Sequence, residues 1–164
     1  MGPGCSLGAA GAPAFGTAPD RATMCTKSCV EILCRFDVGA FFKNLISRIR
    51  RDYKNNYSVL IAPGPNEIKE AEQFNAKIVM KNGESIDIKT LVSLISSAKF
   101  VIANDTGPAH IASHLKKKGL ALFGSHTSAK KVSIENYNFK ALTVKNLKDL
   151  SVDMVLKEIK PKLN

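Results

Sequence analysis

Apolar residues recur along the chain in two alternating patterns, short continuous runs and stretches with helical spacing. The first stretch with helical spacing, within 40–53, places its apolar residues three and four positions apart, on one face of a helix: Phe41, Phe42, Leu45, Ile46 and Ile49. Continuous apolar runs predict buried strands at 58–62, 76–80, 100–103, 120–123 and 141–144. Further helices are predicted after 66, after 87, at 108–116 and from 151.

Turn and capping residues set the limits of these elements. Pro63-Gly64-Pro65 ends the first strand, and Asn66 is predicted to cap a helix whose apolar positions are Ile68, Ala71 and Phe74. Asn82-Gly83 predicts a turn. Asp87 is predicted to cap a helix that buries the apolar side chains Ile88, Leu91, Val92, Leu94 and Ile95.

Strands that alternate with helices predict an α/β fold with a parallel sheet covered on both faces. Because crossovers between parallel strands are right-handed, the expected layout is Rossmann-like. Ligands of such sheets bind at the carboxyl ends of the strands. Candidate chemistry is therefore expected in the loops after Ala62, Ala103 and Phe123.

Composition and charge narrow the classes of protein. The 164 residues suffice for one domain, and no apolar run reaches the ~18 residues needed to cross a bilayer. The formal net charge of +10 favours anionic partners, but the basic residues are spread in short clusters and indicate a solvated face. Nucleic acid is a weak alternative, since the chain has no Trp and no basic stripe interleaved with aromatic residues.

The composition changes near residue 35. The first 34 residues are rich in Gly, Ala, Pro, Ser and Thr and hold all four cysteines, Cys5, Cys25, Cys29 and Cys34. They lack the apolar core of a secretory signal and the Arg-rich pattern of a transit peptide. We predict a disordered or non-native leader at 1–34 and one domain at 35–164. Free thiols are favoured over a zinc site, because there is no CxxC spacing and no nearby His.

The densest chemical signal is the segment from Asn104 to His110, between a predicted strand and a predicted helix. Gly107 lets a ligand approach the backbone, and Pro108 suits a first helical turn, where its missing N–H has no partner to lose. The remaining N–H groups of that turn attract an anion, and Thr106 and His110 can add hydrogen bonds. These features predict a diphosphate site.

A second interpretation of the same segment needs no ligand. Asp105 would then cap the helix and His110 would pack on its first turn. From the residues alone both interpretations stay open.

At this point the sequence resembles a known family. The string Val101-Ile-Ala-Asn-Asp-Thr-Gly-Pro-Ala-His-Ile-Ala-Ser-His114, followed by Leu120-Ala-Leu-Phe-Gly124, closely resembles the signature of ADP-heptose:lipopolysaccharide heptosyltransferases, glycosyltransferase family nine. A looser resemblance extends from about Phe36 to Lys160 and covers the family's C-terminal domain only. It implies a B-type glycosyltransferase, in which two Rossmann-like domains face each other and the C-terminal one binds the sugar nucleotide.

The resemblance implies a set of donor-binding residues. Asp105, Thr106, Gly107, Pro108 and His110 match the segment that contacts the diphosphate and the heptose. Three further positions that match the family and complete the predicted donor-binding set are Gly64, Glu67 and Gly124. Glu67 matches an acidic position that hydrogen-bonds the ribose, although on physical grounds it could equally be a favourable first-turn charge on a helix.

The sequence departs from the family at its amino-terminal end. The family's N-terminal domain holds the acceptor and an acidic residue that acts as general base, and residues 1–35 resemble neither, so we assign no catalytic residue. The family's C-terminal domain also begins with a strand, a Gly-rich turn and a basic residue, which the leader replaces here. A Rossmann-like sheet without that strand would lack a central member. We hypothesise that the β-prone segment Cys29–Phe36 fills the gap.

The resulting functional prediction is a donor-binding domain for ADP-heptose in lipopolysaccharide-core biosynthesis that is not catalytic by itself. The alternatives are a nucleotide-binding remnant and an unrelated Rossmann-like binding module. A lipopolysaccharide-core acceptor is expected only if an N-terminal domain is supplied. Neither cofactor nor metal is implied. We expect a cytoplasmic protein, with a peripheral position at the inner membrane face as an option.

Two other functional classes are disfavoured. His110 and His114 are four residues apart, which is ligand spacing, but position 111 is Ile rather than the Glu of the zinc-protease motif. A dinucleotide-binding oxidoreductase is disfavoured because no GxGxxG follows any predicted strand.

Overall fold

The computed structural model describes residues 28–33, 39–53, 56–125 and 132–163, and for 28–33 only the backbone. A six-stranded parallel sheet forms the centre of the described chain. The strands are β1 (Ser28–Leu33), β2 (Tyr57–Ile61), β3 (Lys77–Ile78), β4 (Met80–Lys81), β5 (Glu84–Ser85), β6 (Phe100–Asn104), β7 (Gly119–Phe123) and β8 (Phe139–Thr143). The helices are α1 (Gly39–Asp52), α2 (Ile68–Ala71), α3 (Ile88–Ser97), α4 (Gly107–His114) and α5 (Val152–Leu163).

The sheet has the order β3-β2-β1-β6-β7-β8, while β4 and β5 form a separate antiparallel hairpin. If the hairpin strands are left out and the other six strands are renumbered along the chain, their order is 3-2-1-4-5-6, as in the Rossmann fold. The register places Ile61 of β2, Ile32 of β1 and Ile102 of β6 in one row across the middle of the sheet. The predicted fold class is therefore confirmed.

The strand β1 occupies the central position that the family's missing strand would hold. It pairs in parallel with β2 on one side and with β6 on the other. This confirms, for the part up to Leu33, the hypothesis that the β-prone segment fills the gap. The strand precedes the domain boundary predicted at residue 35, and residues 1–27 of the predicted leader lie outside the described residues.

Helices cover the sheet on both faces, and side chains of different size point to each. The bulky residues Phe100, Ile102, Leu120 and Leu122 point to the face packed by α1 and α5. Their neighbours Val101, Ala103 and Ala121 point to the opposite face and pack with Ala109 and Ala112 of α4. Because the side chains are short on the sheet and on the helix, α4 lies close to the sheet.

Four local predictions were wrong. The strand predicted at 76–80 is divided, because only Lys77–Ile78 joins the parallel sheet and Met80 belongs to the hairpin strand β4. Asn66 does not cap α2, because the helix begins one residue later, with Glu67 as the flanking residue. The helix ends at Ala71, so Phe74 is buried in the following turn, since β3 must already begin at Lys77. Ile88 is 65% exposed instead of buried, because the first turn of α3 extends beyond the helix's buried contacts at Leu94 and Ile95.

The hairpin between β3 and α3 follows the predicted turn chemistry. Asn82 and Gly83 both have positive φ, 54° and 81°, as a tight hairpin turn requires. Asp87 then caps α3 by accepting a hydrogen bond of 2.8 Å from the backbone N–H of Thr90. The hairpin and the cap together set the position of the first turn of α3. The turn and the cap were predicted, while the two short strands β4 and β5 were not.

The Asp87 cap gives a pH-dependent prediction. The hydrogen bond from the Thr90 N–H holds the pKa of this carboxyl below its usual value, so the cap stabilises the fold above about pH 3.9 and is lost as the pH falls through the lowered pKa. We expect Asp87→Ala to lower the Tm by a few degrees at neutral pH and by nothing in strong acid. Asp87→Asn should cap well at both pH values. Melts of the three proteins check this, and an equal effect of Asp87→Ala at both pH values would contradict it.

Candidate cleft at the carboxyl edge of the sheet

A cleft of about 480 Å³ lies at the carboxyl edge of the sheet. It falls between the loop that follows β2 and the loop that follows β6, the two strands on either side of β1. This is the point where the strand order reverses, which is where open α/β sheets bind ligands. Its lining residues are Ala62, Pro63, Gly64, Pro65, Glu67, Ser85, Ile86, Ile88, Leu91, Thr106 and Pro108. Among these described lining residues Glu67 alone carries a charge.

Glu67 closes the turn after β2. Its Oε2 accepts a hydrogen bond of 2.9 Å from the backbone N–H of Gly64, and the Glu67 N–H donates to the Gly64 carbonyl at 3.0 Å. The same carboxylate lies 3.0 Å from where a Cβ on Gly64 would be, so the turn fits closely around it. The side chain is therefore held in place at the cleft wall.

The amino-terminal end of α4 forms the opposite part of the wall. Thr106 precedes the helix with an extended backbone, and its own side chain does not cap the helix. The Thr106 hydroxyl donates instead to the Asn104 carbonyl at 3.2 Å. The aligned peptide dipoles of α4 give this end a partial positive charge. Pro108 has no N–H, and the N–H groups of Ala109 and His110 donate to the Thr106 carbonyl at 3.0 and 3.4 Å, so the Gly107 N–H is the first-turn donor that precedes them.

Asp105 and His110 pair beside the cleft. His110 Nε2 lies 3.7 Å from Asp105 Oδ1, with the His110 side chain 39% exposed. The Asp105 N–H donates to the Leu122 carbonyl at 3.2 Å, which ties the loop to β7. His114, one turn further along α4, has its Nδ1 at 2.8 Å from the His110 carbonyl. In the described ranges no group of three or more His, Cys, Asp and Glu side chains could hold a metal ion.

Comparison with known proteins identifies the family. The model of glycosyltransferase family 9 (heptosyltransferase) matches residues 49–156, about two thirds of the chain. The chain belongs to this family. A search of curated proteins gave no significant match. In the part of the family 9 chain that the structure describes, no helix is long and apolar enough to cross a membrane.

Solved structures show the same fold at low sequence identity. E. coli heptosyltransferase WaaC with ADP has a TM-score of 0.69 and 18% identity, covering 83% of this chain and 44% of that one. WaaC with ADP-2-deoxy-2-fluoro heptose has a TM-score of 0.68 and 17% identity, and the match covers 86% of this chain and 46% of that one. E. coli ADP-heptose lps heptosyltransferase II has a TM-score of 0.69 and 15% identity, and the match covers 87% of this chain and 48% of that one. The family 9 chain thus shares the fold of part of each of these enzymes, one Rossmann-like domain, and spans less than half of their length.

The cleft brings together some of the residues predicted for donor binding. Gly64, Glu67, Thr106 and Pro108 line it, although they come from loops about 40 residues apart. The other predicted residues of the α4 loop, Asp105, Gly107 and His110, adjoin the cleft without lining it. Gly124 is buried after β7 and is not part of the lining.

The third wall of the cleft was not predicted from the sequence of the family 9 chain. Ser85, Ile86, Ile88 and Leu91 come from the end of the hairpin and the first turn of α3. Strands of two residues carry no detectable periodicity, and helical spacing placed Ile88 and Leu91 in the core. The Asp87 cap gave the one usable signal, because it fixed where α3 begins.

Proposed function

We propose that this domain binds a nucleotide sugar of the ADP-heptose class and serves as the donor half of a heptosyltransferase. The observation that carries the proposal is the cleft itself, which joins an apolar wall, one fixed carboxylate and a helix amino terminus in a single concave surface. Its volume of about 480 Å³ lies within the range of small-molecule sites. Pro-Gly-Pro and Asp-Thr-Gly-Pro, the two segments that the family resemblance selects, meet at this surface.

The chemistry along the cleft suits the parts of such a donor. Ile86, Ile88 and Leu91 offer an apolar surface for a nucleobase, which explains why Ile88 is left 65% exposed. The Glu67 carboxylate can accept hydrogen bonds from ribose hydroxyls. The amino terminus of α4 favours the diphosphate, since its dipole stabilises anions by ~0.3–1 kcal/mol per charge. The Gly107 N–H, which precedes the bonded N–H groups of Ala109 and His110, can donate to a phosphate oxygen.

Gly107 supports the same assignment by elimination. Its backbone φ is not positive, and a Cβ at this position would meet no described atom within 4 Å. Neither backbone conformation nor packing in the described residues therefore calls for glycine. Close approach of a ligand to the α4 amino terminus is a physical reason that remains.

The solved relatives support the choice of nucleotide. WaaC has been solved with ADP and with ADP-2-deoxy-2-fluoro heptose, and both structures share the fold of this chain. We therefore include ADP and a heptose in the proposed donor. A lipopolysaccharide-core acceptor, a bacterial origin and a cytoplasmic location belong to the same proposal.

Transfer also needs an acceptor site and a general base, which the family resemblance assigns to an N-terminal half. We propose that the residues described here supply donor binding and do not transfer the sugar by themselves. With ADP-heptose and a lipopolysaccharide-core acceptor, the chain alone should release no ADP above the rate of spontaneous hydrolysis. Measurable transfer by the chain alone would overturn this part of the proposal and leave donor binding in place.

Donor binding is tested by thermal-shift titration with ADP and ADP-heptose, with NADH and zinc as negative controls. A ligand at ~10 times its Kd stabilises a protein by about 1.4 kcal/mol, which raises the Tm by several degrees in a domain of this size. We expect this rise for the ADP compounds only. An unchanged Tm at millimolar ADP would refute the proposal.

Two variants locate the bound nucleotide. Gly107→Ala and Ile88→Asp change positions that pack against nothing essential, so their own Tm should stay close to that of the natural chain. We expect each to lose most of the ADP-dependent rise in Tm, the first by blocking the diphosphate and the second by placing a charge under the base. Tyr137→Ser, at an exposed and distant position, is the matched control and should respond fully. Full responses in both test variants would place ADP elsewhere.

A further inference from the structure

An exposed aromatic residue is held at the amino edge of the sheet, the edge opposite the cleft. The Tyr137 side chain is 94% exposed, and Leu115 at the end of α4 is 40% exposed. The loop that carries Tyr137 is tied to α4, because Asn136 Nδ2 donates to the Ser113 carbonyl at 3.0 Å and Asn138 Nδ2 donates to the Lys116 carbonyl at 3.0 Å. Tyr137 is thus presented to solvent by a loop that is fixed on both sides.

Three exposed lysines lie at the same edge of the sheet as Leu115 and Tyr137. Lys116 and Lys118 are exposed after α4, and Lys99 is exposed just before β6. The ends of α3 and α4 lie side by side, since Lys117 Nζ donates to the Ser96 carbonyl at 2.9 Å and the Val101 N–H donates to the Lys118 carbonyl at 2.9 Å. The three exposed lysines therefore form one surface with Leu115 and Tyr137, which we name the basic edge.

The three lysines of the basic edge outnumber the acidic residues near them in sequence. From 106 to 134 the sequence has no Asp or Glu. Glu135, the acid nearest in sequence to Tyr137, is exposed and accepts a hydrogen bond of 3.0 Å from the Ala141 N–H at its Oε1, so one carboxylate stands against three lysines. Lysines at helix carboxyl ends complement the helix dipole, which accounts for Lys116 but not for an exposed tyrosine beside it.

We propose that the basic edge is a contact surface for anionic lipid membranes. Lysine attracts anionic headgroups and can extend its charge outward, while tyrosine favours the boundary between headgroups and acyl chains. One aromatic and one aliphatic side chain among lysines fit that boundary better than they fit nucleic acid, whose single strands need a series of stacking rings. Charge complementarity with anionic lipid is the observation that selects the partner.

The basic edge and the cleft act independently. The five residues of β7 separate the two edges of the sheet by about 16 Å, so a membrane at one edge leaves the cleft open at the other. The inference does not rest on the proposed donor site. A chain that fails to bind ADP could still bind vesicles, and the reverse also holds.

The test is co-sedimentation of the full chain with vesicles of phosphatidylcholine alone and of phosphatidylcholine mixed with phosphatidylglycerol. We expect binding to the mixed vesicles only. Lys116→Ser with Lys118→Ser should lower the partition coefficient about fivefold for each lysine, about 25-fold together. Tyr137→Ser should lower it several-fold, and this part of the effect should persist at high salt, where the lysine contribution is screened.

The control variant is Lys145→Ser with Lys148→Ser, which removes the same charge from exposed positions after β8, at the cleft edge. It should bind the mixed vesicles nearly as well as the natural chain. All changed positions are exposed, so melts should show every variant folded. Equal binding by both double variants, or no binding by the natural chain, would refute the proposal. An unchanged partition for Tyr137→Ser together with equally strong heparin binding would assign the surface to acidic polymers and likewise refute it.

Discussion

Ile32→Pro is expected to abolish cooperative unfolding of this protein. Ile32 of β1 is paired with Ile61 of β2 on one side and with Ile102 of β6 on the other. Proline has no N–H and removes a ladder hydrogen bond, and in a strand with neighbours on both sides the rest of the sheet cannot adjust around it. Because β1 joins the two halves of the sheet, a loss there separates β2 from β6. Circular dichroism melts should show no sharp transition.

Ile32→Val is the matched control for this prediction. It keeps the N–H and the β-branched shape, and such a change costs at most about 0.5–1.5 kcal/mol. In the natural chain, hydrogen exchange should be slow for amides within Val30–Ile32, because these residues are paired on both sides of the strand. A proline variant that unfolds cooperatively, with a Tm close to that of the valine variant, would show that β1 does not hold the sheet together.

The sheet could be predicted from sequence because its strands are separated by helices and buried on both faces. Phe100–Asn104 and Gly119–Phe123 are buried throughout, which gives the continuous apolar runs that the prediction used. The position of β1 could only be hypothesised, since the family resemblance begins after it. What decided it was topology, because a 3-2-1-4-5-6 order leaves one vacancy between β2 and β6.

The cleft was predicted in part for a related reason. Glu67 and Thr106 follow strands that flank β1, so the carboxyl-edge rule brings their loops together without any knowledge of side chains. The positions of Ile86 and Ile88 in the cleft wall were not predicted, because their exposure depends on how far the first turn of α3 extends past its core contacts. The pairing of Asp105 with His110 was also missed, since helical capping was the local alternative that the sequence offered. Tertiary position, and not local pattern, decided these cases.

Gly119→Ala is expected to be the most damaging small substitution at the other end of the sheet. Gly119 begins β7, and an added Cβ would lie 2.5 Å from Cδ2 of Phe139 and 2.7 Å from the Val101 carbonyl oxygen. The Phe139 ring is fully buried and the carbonyl belongs to the neighbouring strand, so neither can move away cheaply. Overpacking of this kind costs about 3 kcal/mol at the upper end of its usual range, which lowers the Tm of a domain of this size by about 10 °C.

Gly107→Ala provides the matched comparison for this loss, because the same methyl group at that position would meet no described atom within 4 Å. Its Tm should equal that of the natural chain or rise slightly, as expected when alanine replaces glycine in a helix. Gly119→Ala with Phe139→Leu should recover part of the loss, since the smaller side chain relieves the ring contact but not the contact with the carbonyl. Urea and thermal melts of these proteins measure the differences. If Gly119→Ala had the same Tm as Gly107→Ala, the close packing of β7 against β6 and β8 at Gly119 would be contradicted.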